Sequence, residues 1–576
     1  MSDKNIFKTS FAENIFRFKY ALTQAESWEQ RARTIVRDVC GDAGEGLHPL
    51  LSKDEQDFLT HCIATHKFLP GGRYIYYAGR QARFYNNCYL LRGEEDSREE
   101  WAALAQRSTS CLMTGGGIGI DYSIFRPAGR MLSRTGGNSS GPLPLMSIIN
   151  EIGRNVMQGG SRRSAIYASL NWLHDDANDF LNIKNWDEMV INADGYTKWD
   201  AKQHDFNYAC PLDMTNISLN YDDEFLRQAF NCNPETVLGM QSIGEDFPAL
   251  NLPDTFVKNV EQALRTGEPG FSFNFGDKQN ETLRNACTEV TSEDDSDVCN
   301  LGSVNMGNIS SIEEFKAVVR IASKFLVCGT IRAELPYDKV YKVREKNRRL
   351  GLGLMGIHEW LMQRGEKYEV TEDLHKWLAV YRDESESAAN EHCDRLYISR
   401  PVAYRAIAPT GSIGILASTT TGIEPLFAVA YKRRFLVDGN KWKYQYVVDA
   451  TAEHMINEYG VKPDEIETAL DLAKDPERRL KFQADIQRYV DMSISSTINL
   501  PSWGSNLNNP DTIVPFAELL AKYAPGLRGF TCYPDGSRGG QPLTVVDYER
   551  ALKSKNMIFE ENDICDITGH GGSCGV

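Results

Sequence analysis

An amide, a thiol and a carboxylate stand at alternate positions in Asn285-Ala286-Cys287-Thr288-Glu289, and a second thiol, Cys299, follows ten residues after the last of them. On an extended backbone all three would project to one face, because strand side chains repeat every second residue. Such a trio sharing one small volume is hard to satisfy by packing alone, which favours a reaction site. The carboxylate could move a proton and the amide could hold hydroxyl groups. For Cys287 considered alone, a buried structural cysteine in an irregular loop is the competing reading.

Elements that must position this segment can be read on both sides. Residues 12–40 and 52–66 have apolar positions three and four apart (Ile15, Phe16, Tyr20; Phe58, Leu59, Cys62), with Pro49 and Pro70 as breaks, and predict an amphipathic helical region over 1–70. Asn86-Asn87-Cys88-Tyr89-Leu90-Leu91 predicts a strand opening on a thiol. Asp96-Ser97 sits where an N-cap would start a helix over 98–113. Thr114-Gly115-Gly116-Gly117-Ile118-Gly119-Ile120-Asp121 runs from helix to strand, the reverse of a dinucleotide fingerprint, so its glycines are read as allowing close backbone approach to a sugar or base. Residues 184–221 hold few periodic apolar positions and are read as functional loops. Helices are expected at 312–330, 372–396 and 486–500, a glycine-rich buried strand at 348–356 and a last strand and turn at 529–538. Pro409-Thr410-Gly411-Ser412-Ile413 stands at a helix start with unpaired N–H groups and two hydroxyls, which suits a phosphate; a capped helix without ligand fits equally well.

At 576 residues with 41% hydrophobic and 25% charged residues, the chain can bury a large core. Its formal net charge of −16, without a long basic run, argues against nucleic acid as a partner and leaves small phosphorylated substrates open. The first residues are too polar for a signal peptide and no apolar run is long enough for a membrane span, so a cytoplasmic protein is expected (the host cytoplasm for a phage-encoded chain). Thirteen scattered cysteines are not a disulfide framework. Cys565, His570 and Cys574 near the glycine-rich C-terminus make a zinc knuckle conceivable but one ligand short, and no metal site is expected.

Asn-x-Cys-x-Glu followed by Cys299-Asn300-Leu301-Gly302-Ser303-Val304-Asn305 resembles the active-site loop of ribonucleotide reductase large subunits, with Ala286 and Thr288 where that family has Pro and Gly. Further segments resembling the family follow in order: the strand at Cys88, the Gly115–Asp121 run, Ser139–Met146, Gln158–Arg163, Trp172–Asp176, the 409–413 turn with Thr421–Phe427, and Gly529–Arg538. The resemblance implies a ten-stranded α/β barrel of two five-stranded parallel halves with a central finger loop, preceded by the helical region (1–70), spanning 71–545 and ending in a mobile redox tail (546–576). No additional N-terminal nucleotide module is expected in the 87 residues before Cys88.

The implied reaction is thiyl-radical reduction of ribonucleoside di- or triphosphates to 2′-deoxyribonucleotides. Cys287 would carry the radical, Glu289 would act as base, and Asn285 would hold the hydroxyls. Cys88 and Cys299 would become a disulfide, restored through Cys565 and Cys574 by a thioredoxin- or glutaredoxin-like protein. Asn87, Gly117, Pro409, Thr410, Gly411, Ser412 and Ile413 would bind substrate. Asp96 and Ser97 would contact a deoxynucleotide or ATP effector in a homodimer. Tyr533 is followed by Pro534 rather than a second tyrosine, and the Tyr533–Arg538 context resembles adenosylcobalamin-dependent members. The alternatives are a radical delivered by a separate diiron or dimanganese small subunit, and a non-catalytic nucleotide-binding regulator.

Overall fold

The computed structural model describes residues 6–42, 44, 47–133, 136–156, 164–205, 208–242, 251–437, 441–537, 543–555 and 557–560. Five strands, Cys88–Arg92, Gly117–Asp121, Ile166–Asn171, Thr215–Tyr221 and Gly270–Phe273, pair in parallel in chain order, with helices such as Arg98–Thr114, Leu143–Asn155 and Asp254–Thr266 in the crossovers. A second parallel run starts with Asp297–Asn305 and Leu350–Met355 and ends with Thr497–Leu500 and Gly529–Pro534. Between them, residues 404–407 form single parallel bridges, Leu352 to Arg405 and Ile407 to Ile494. The two runs meet antiparallel at both edges: Cys88–Arg92 against Asp297–Asn305, and Gly529–Pro534 against Gly270–Phe273. Followed strand by strand, the pairings close into a ring of two five-membered parallel halves, the architecture the resemblance implied.

Helices outside and a threaded loop inside leave the barrel strands covered on both faces, so they read as unbroken buried runs. Asp297–Asn305 is buried at every position despite its polar residues. Two of its amides are anchored outside the strand: Asn300 donates to Tyr74 Oη (2.5 Å) and to the Leu326 carbonyl (2.8 Å), and Asn305 donates to the His66 carbonyl.

Several expectations change. The helix expected over 12–40 is three pieces, Ser10–Ile15, a π-turn Phe16–Tyr20 and Trp28–Cys40. The last restarts because Ser27 and Gln30 form a reciprocal capping box. The helix expected over 486–500 is instead Pro476–Gln487 followed by a barrel strand. Gln487 ends it by turning its amide onto the Val490 and Met492 carbonyls, and the β-branched Ile494, Thr497 and Ile498 suit the sheet that follows. In the range read as loops, Lys198–His204 is helical. Residues 543–555 and 557–560, partly within the range read as a tail, are structured. Leu543–Val545 and Ile558–Glu560 pair on either side of the hairpin Ala430–Val437/Lys441–Val448, and Tyr548–Lys553 is a helix packed on it. Cys565, His570 and Cys574 lie outside the described residues. No helix among the described residues is long and apolar enough to cross a membrane.

Candidate active site

Cys88 and Cys299 are direct cross-strand partners where the two half-barrels meet. Opposed residues of an antiparallel pair point to the same face with Cβ atoms about 4.5–5.5 Å apart, close to disulfide spacing. Both are sealed, at 4% and 0% exposure. Burial pushes both thiols well above the usual range; for Cys88, nearby Glu289, Cys299 and Cys287 add to the rise, while the Asn285 amide opposes it.

Opposite this pair stands a narrow hairpin with arms Leu283–Arg284 and Thr291–Ser292. The segment expected to be extended is a reverse turn: the Thr288 N–H donates to the Asn285 carbonyl (3.0 Å) and Thr288 has φ +70°. Its side chains therefore do not share one face. Asn285 and Glu289 close the base of the turn and are buried, and Cys287 at the tip is exposed. Asn285 Nδ2 donates to Cys88 Sγ (2.9 Å), its Oδ1 accepts from the Val290 N–H (2.9 Å), and the amide also hydrogen-bonds Glu289.

Glu289 is 1% exposed, and its Oε2 has no hydrogen-bond partner among the described residues. Burial pushes its carboxyl up to about 7, partly offset by the bond to Asn285. A carboxyl held there can both accept and return a proton near neutrality.

The hairpin is held by groups that single-sequence reading missed. Arg284 is fully buried at its root, donating to the Asn274 side chain (2.6 Å) and the Glu281 carbonyl, and burial lowers its guanidinium to about 9. On the other arm Ser292 donates to Asp297 (2.7 Å), which also takes the Arg349 guanidinium (2.9 Å). Asn216 ties down the tip by donating to the Ala286 carbonyl (3.2 Å). A Cβ on Gly119 would lie 1.6 Å from the Arg284 carbonyl oxygen, and one on Gly117 would lie 3.2 Å from Ala286 Cβ. The close approach expected of this glycine run is thus to the finger backbone. A signal existed, since glycines at alternate strand positions leave one face bare, but it could not name what fills that face.

Asn87 precedes Cys88; its Oδ1, near Gly71, has no hydrogen-bond partner among the described residues. Ala403, Ala406 and Ala408 pack in one cluster with Cys88 and Cys299 and lead straight to Pro409. Thr410 adopts φ +50° and its hydroxyl accepts from the Gly422 N–H (2.9 Å); helix Gly411–Ala417 follows, with Ser412 half-buried and Ile413 buried. Asp96 and Ser97 lie beyond the far end of the Cys88 strand. Ser97 caps helix Arg98–Thr114, accepting from the Glu100 N–H (3.1 Å), and Asp96 pairs with Arg126 (2.5 Å). Gln158–Arg163 lies outside the described residues. A cavity of about 390 Å³ adjoins the finger through Asn216 and is also lined by Lys184, Trp186, Trp199, Glu268 and Ser537.

The site is an exposed thiol on a finger loop beside a buried pair of thiols at a seam of an α/β barrel. The sequence matches "Ribonucleotide reductase, barrel domain" over residues 86–377 and 400–533, and the chain belongs to the ribonucleotide reductase family. It is 26% identical over 546 residues to the vitamin B12-dependent ribonucleoside-diphosphate reductase of Mycobacterium tuberculosis, covering 86% of this chain and 72% of that protein. To the enzyme of the same name from Thermoplasma acidophilum it is 26% identical over 555 residues, covering 86% and 67%. To a putative adenosylcobalamin-dependent ribonucleoside-triphosphate reductase of Mycobacterium phage D29 it is 27% identical over 546 residues, covering 79% and 72%.

Proposed function

We propose that this chain reduces ribonucleoside di- or triphosphates to 2′-deoxyribonucleotides with adenosylcobalamin as radical source. The observation that carries the reading is the convergence of Cys88, Cys299, Asn285 and Glu289 around one buried volume beneath an exposed Cys287.

In this reading Cys287, as a thiyl radical, takes the ribose 3′-hydrogen, since S–H and that C–H bond are similar in strength. Glu289 accepts the 3′-hydroxyl proton, and Asn285 orients the hydroxyls. Loss of the 2′-oxygen as water takes a proton from the Cys88/Cys299 pair. The pair passes its second hydrogen to C2′, giving up two electrons and two protons in all, and closes as a disulfide; Glu289 returns its proton to the 3′-oxygen, and Cys287 returns its hydrogen to C3′. Burial suits the pair to this role, because high thiol pKa values keep both protons in place until substrate arrives.

The tip is open on the side where the cofactor would approach: Cys287 is exposed, and Asn216, which donates to the Ala286 carbonyl, also lines the adjoining cavity with Trp186 and Trp199, where an edge of a large cofactor would rest. When bound, adenosylcobalamin supplies the oxidising equivalent by homolysis of its cobalt–carbon bond. Tyr533 and Pro534 end the last barrel strand, so the adjacent tyrosine pair that a partner-subunit mechanism uses is missing there.

Loop 409–413 would hold the substrate phosphates, with Asn87 and Gly117 lining the nucleoside. An effector would bind near Asp96 and Ser97 in a homodimer; exposed Met113 and Ile148 on helices Arg98–Thr114 and Leu143–Asn155 support an apolar dimer face. Cys565 and Cys574 would relay electrons from a small dithiol protein in the cytoplasm. The test is deoxynucleotide formation by the purified chain with a dithiol, with and without adenosylcobalamin. Product only with the cofactor is expected. Product only with an added metal-containing subunit overturns the cobalamin reading, and no product under either condition favours a regulator.

A further inference from the structure

The N-terminal helices do more than pack against the barrel. Phe16 and Tyr20, the ends of the π-turn, are both buried: Phe16 meets Phe7 and Trp28 with ring centroids 5.5 and 5.4 Å away, and the Tyr20 hydroxyl lies 3.0 Å from where a Cβ on Gly72 would stand. π-turns recur at functional positions because the extra residue re-aims a side chain. Here Lys19, half-buried between these two anchors, donates from Nζ to Ser412 Oγ at 3.0 Å, across 393 residues of sequence. Its ammonium lies 5.3 Å from the centroid of the Tyr20 ring. Gly411, which precedes Ser412, is exposed, and a Cβ there would meet nothing within 4 Å beyond its chain neighbours, so the loop is open on that side.

We propose that Lys19 is a substrate-binding residue whose ammonium contacts the terminal phosphates of a nucleoside di- or triphosphate held by residues 409–413. The inference rests on the phosphate role given to that loop under the proposed function. Two hydroxyls and a few backbone N–H groups are neutral donors, and the chain as a whole carries a charge of −16. A polyphosphate therefore needs a local cation, and an ammonium on a flexible stem meets phosphate as a point charge. The N-terminal region would thereby read the phosphate chain while the barrel reads the sugar.

The test is equilibrium binding of cytidine, CDP and CTP to the full-length chain and its Lys19→Gln, Lys19→Arg and Ser412→Ala variants at two salt concentrations. Lys19→Gln is expected to weaken CDP and CTP by about 10- to 100-fold, the span of a charge-assisted hydrogen bond, to leave cytidine unchanged and to flatten the salt dependence; Lys19→Arg keeps most of the affinity. If Ser412→Ala weakens CDP while Lys19→Gln stays within twofold of the parent, the Lys19 proposal falls and the loop assignment stands. If neither variant matters, the loop assignment falls as well. Equal weakening of cytidine and CDP by Lys19→Gln, with a lower melting temperature, would make the lysine structural and overturn the proposal.

Discussion

Two sulfur environments lie within a few residues of each other in space and differ in how they are built. Cys88 and Cys299 sit on adjacent barrel strands, their separation fixed by sheet register and their surroundings closed. Cys287 sits on a two-armed turn, exposed, its position set by one carbonyl bond to Asn216, a left-handed residue and the space left by two glycines. The contrast shows a division of labour: a pair that must meet at bonding distance is carried by the most rigid element available, and a thiol that must be reached from outside is carried on a probe.

The sharpest way to break this comparison is to remove the tip. Cys287→Ser is expected to lower deoxynucleotide formation by at least about four orders of magnitude, as loss of an essential reacting group does, with CDP binding unchanged. Single-turnover assays beside equilibrium binding check this. Replacing either wall thiol, Cys88→Ser or Cys299→Ser, should end multiple turnover. After one turnover without reductant, peptide mapping of the parent should find these two residues cross-linked, and a different pairing would undo the division.

Glu289→Gln is expected to cost about 10²–10⁴-fold in kcat. In the parent, kcat should rise with pH through about 7 as the carboxyl ionises, and that limb should be absent in the variant. A smaller effect is expected from Gly119→Ala. Its Cβ would collide with the Arg284 carbonyl, costing about 1–3 kcal/mol of stability and shifting the finger; denaturant unfolding beside kcat measures both. Glu289 also carries a linkage between pH and stability. Because the folded-state pKa of Glu289 is raised above its ordinary 4.5 to about 7, its contribution to stability is complete below about 4.5 and is lost as pH rises through about 7. The stability of the parent relative to Glu289→Gln should fall across that window, and a flat difference would mean the carboxyl is solvated.

Much of this was legible in the chain because local pattern and reactive residue types coincide. The strand opening at Cys88, the helices at Ile312–Arg332 and Glu372–Leu396 and the buried strand at Leu350–Met355 all follow from apolar periodicity and flanking turn residues. The turn at Cys287 was not legible, because nothing in Ala286 or Thr288 announces a left-handed residue; φ +70° at a threonine is imposed by the surrounding packing. The strand over 497–500 is not legible locally, because a short apolar run supports helix or strand alike, and its barrel neighbours decide it. The Lys19–Ser412 contact joins positions 393 residues apart, beyond the reach of any local rule.

The antiparallel junction between the half-barrels also bears on motion. Each half is a parallel unit with its own crossovers, and among the described residues two antiparallel seams join them edge to edge. A sulfur–sulfur bond between Cys88 and Cys299 would rivet one of those seams covalently with every product released. Amide exchange along Cys88–Arg92 and Asp297–Asn305 should then be slower in the spent enzyme than in the recharged one, so that the barrel tightens and loosens once per catalytic cycle.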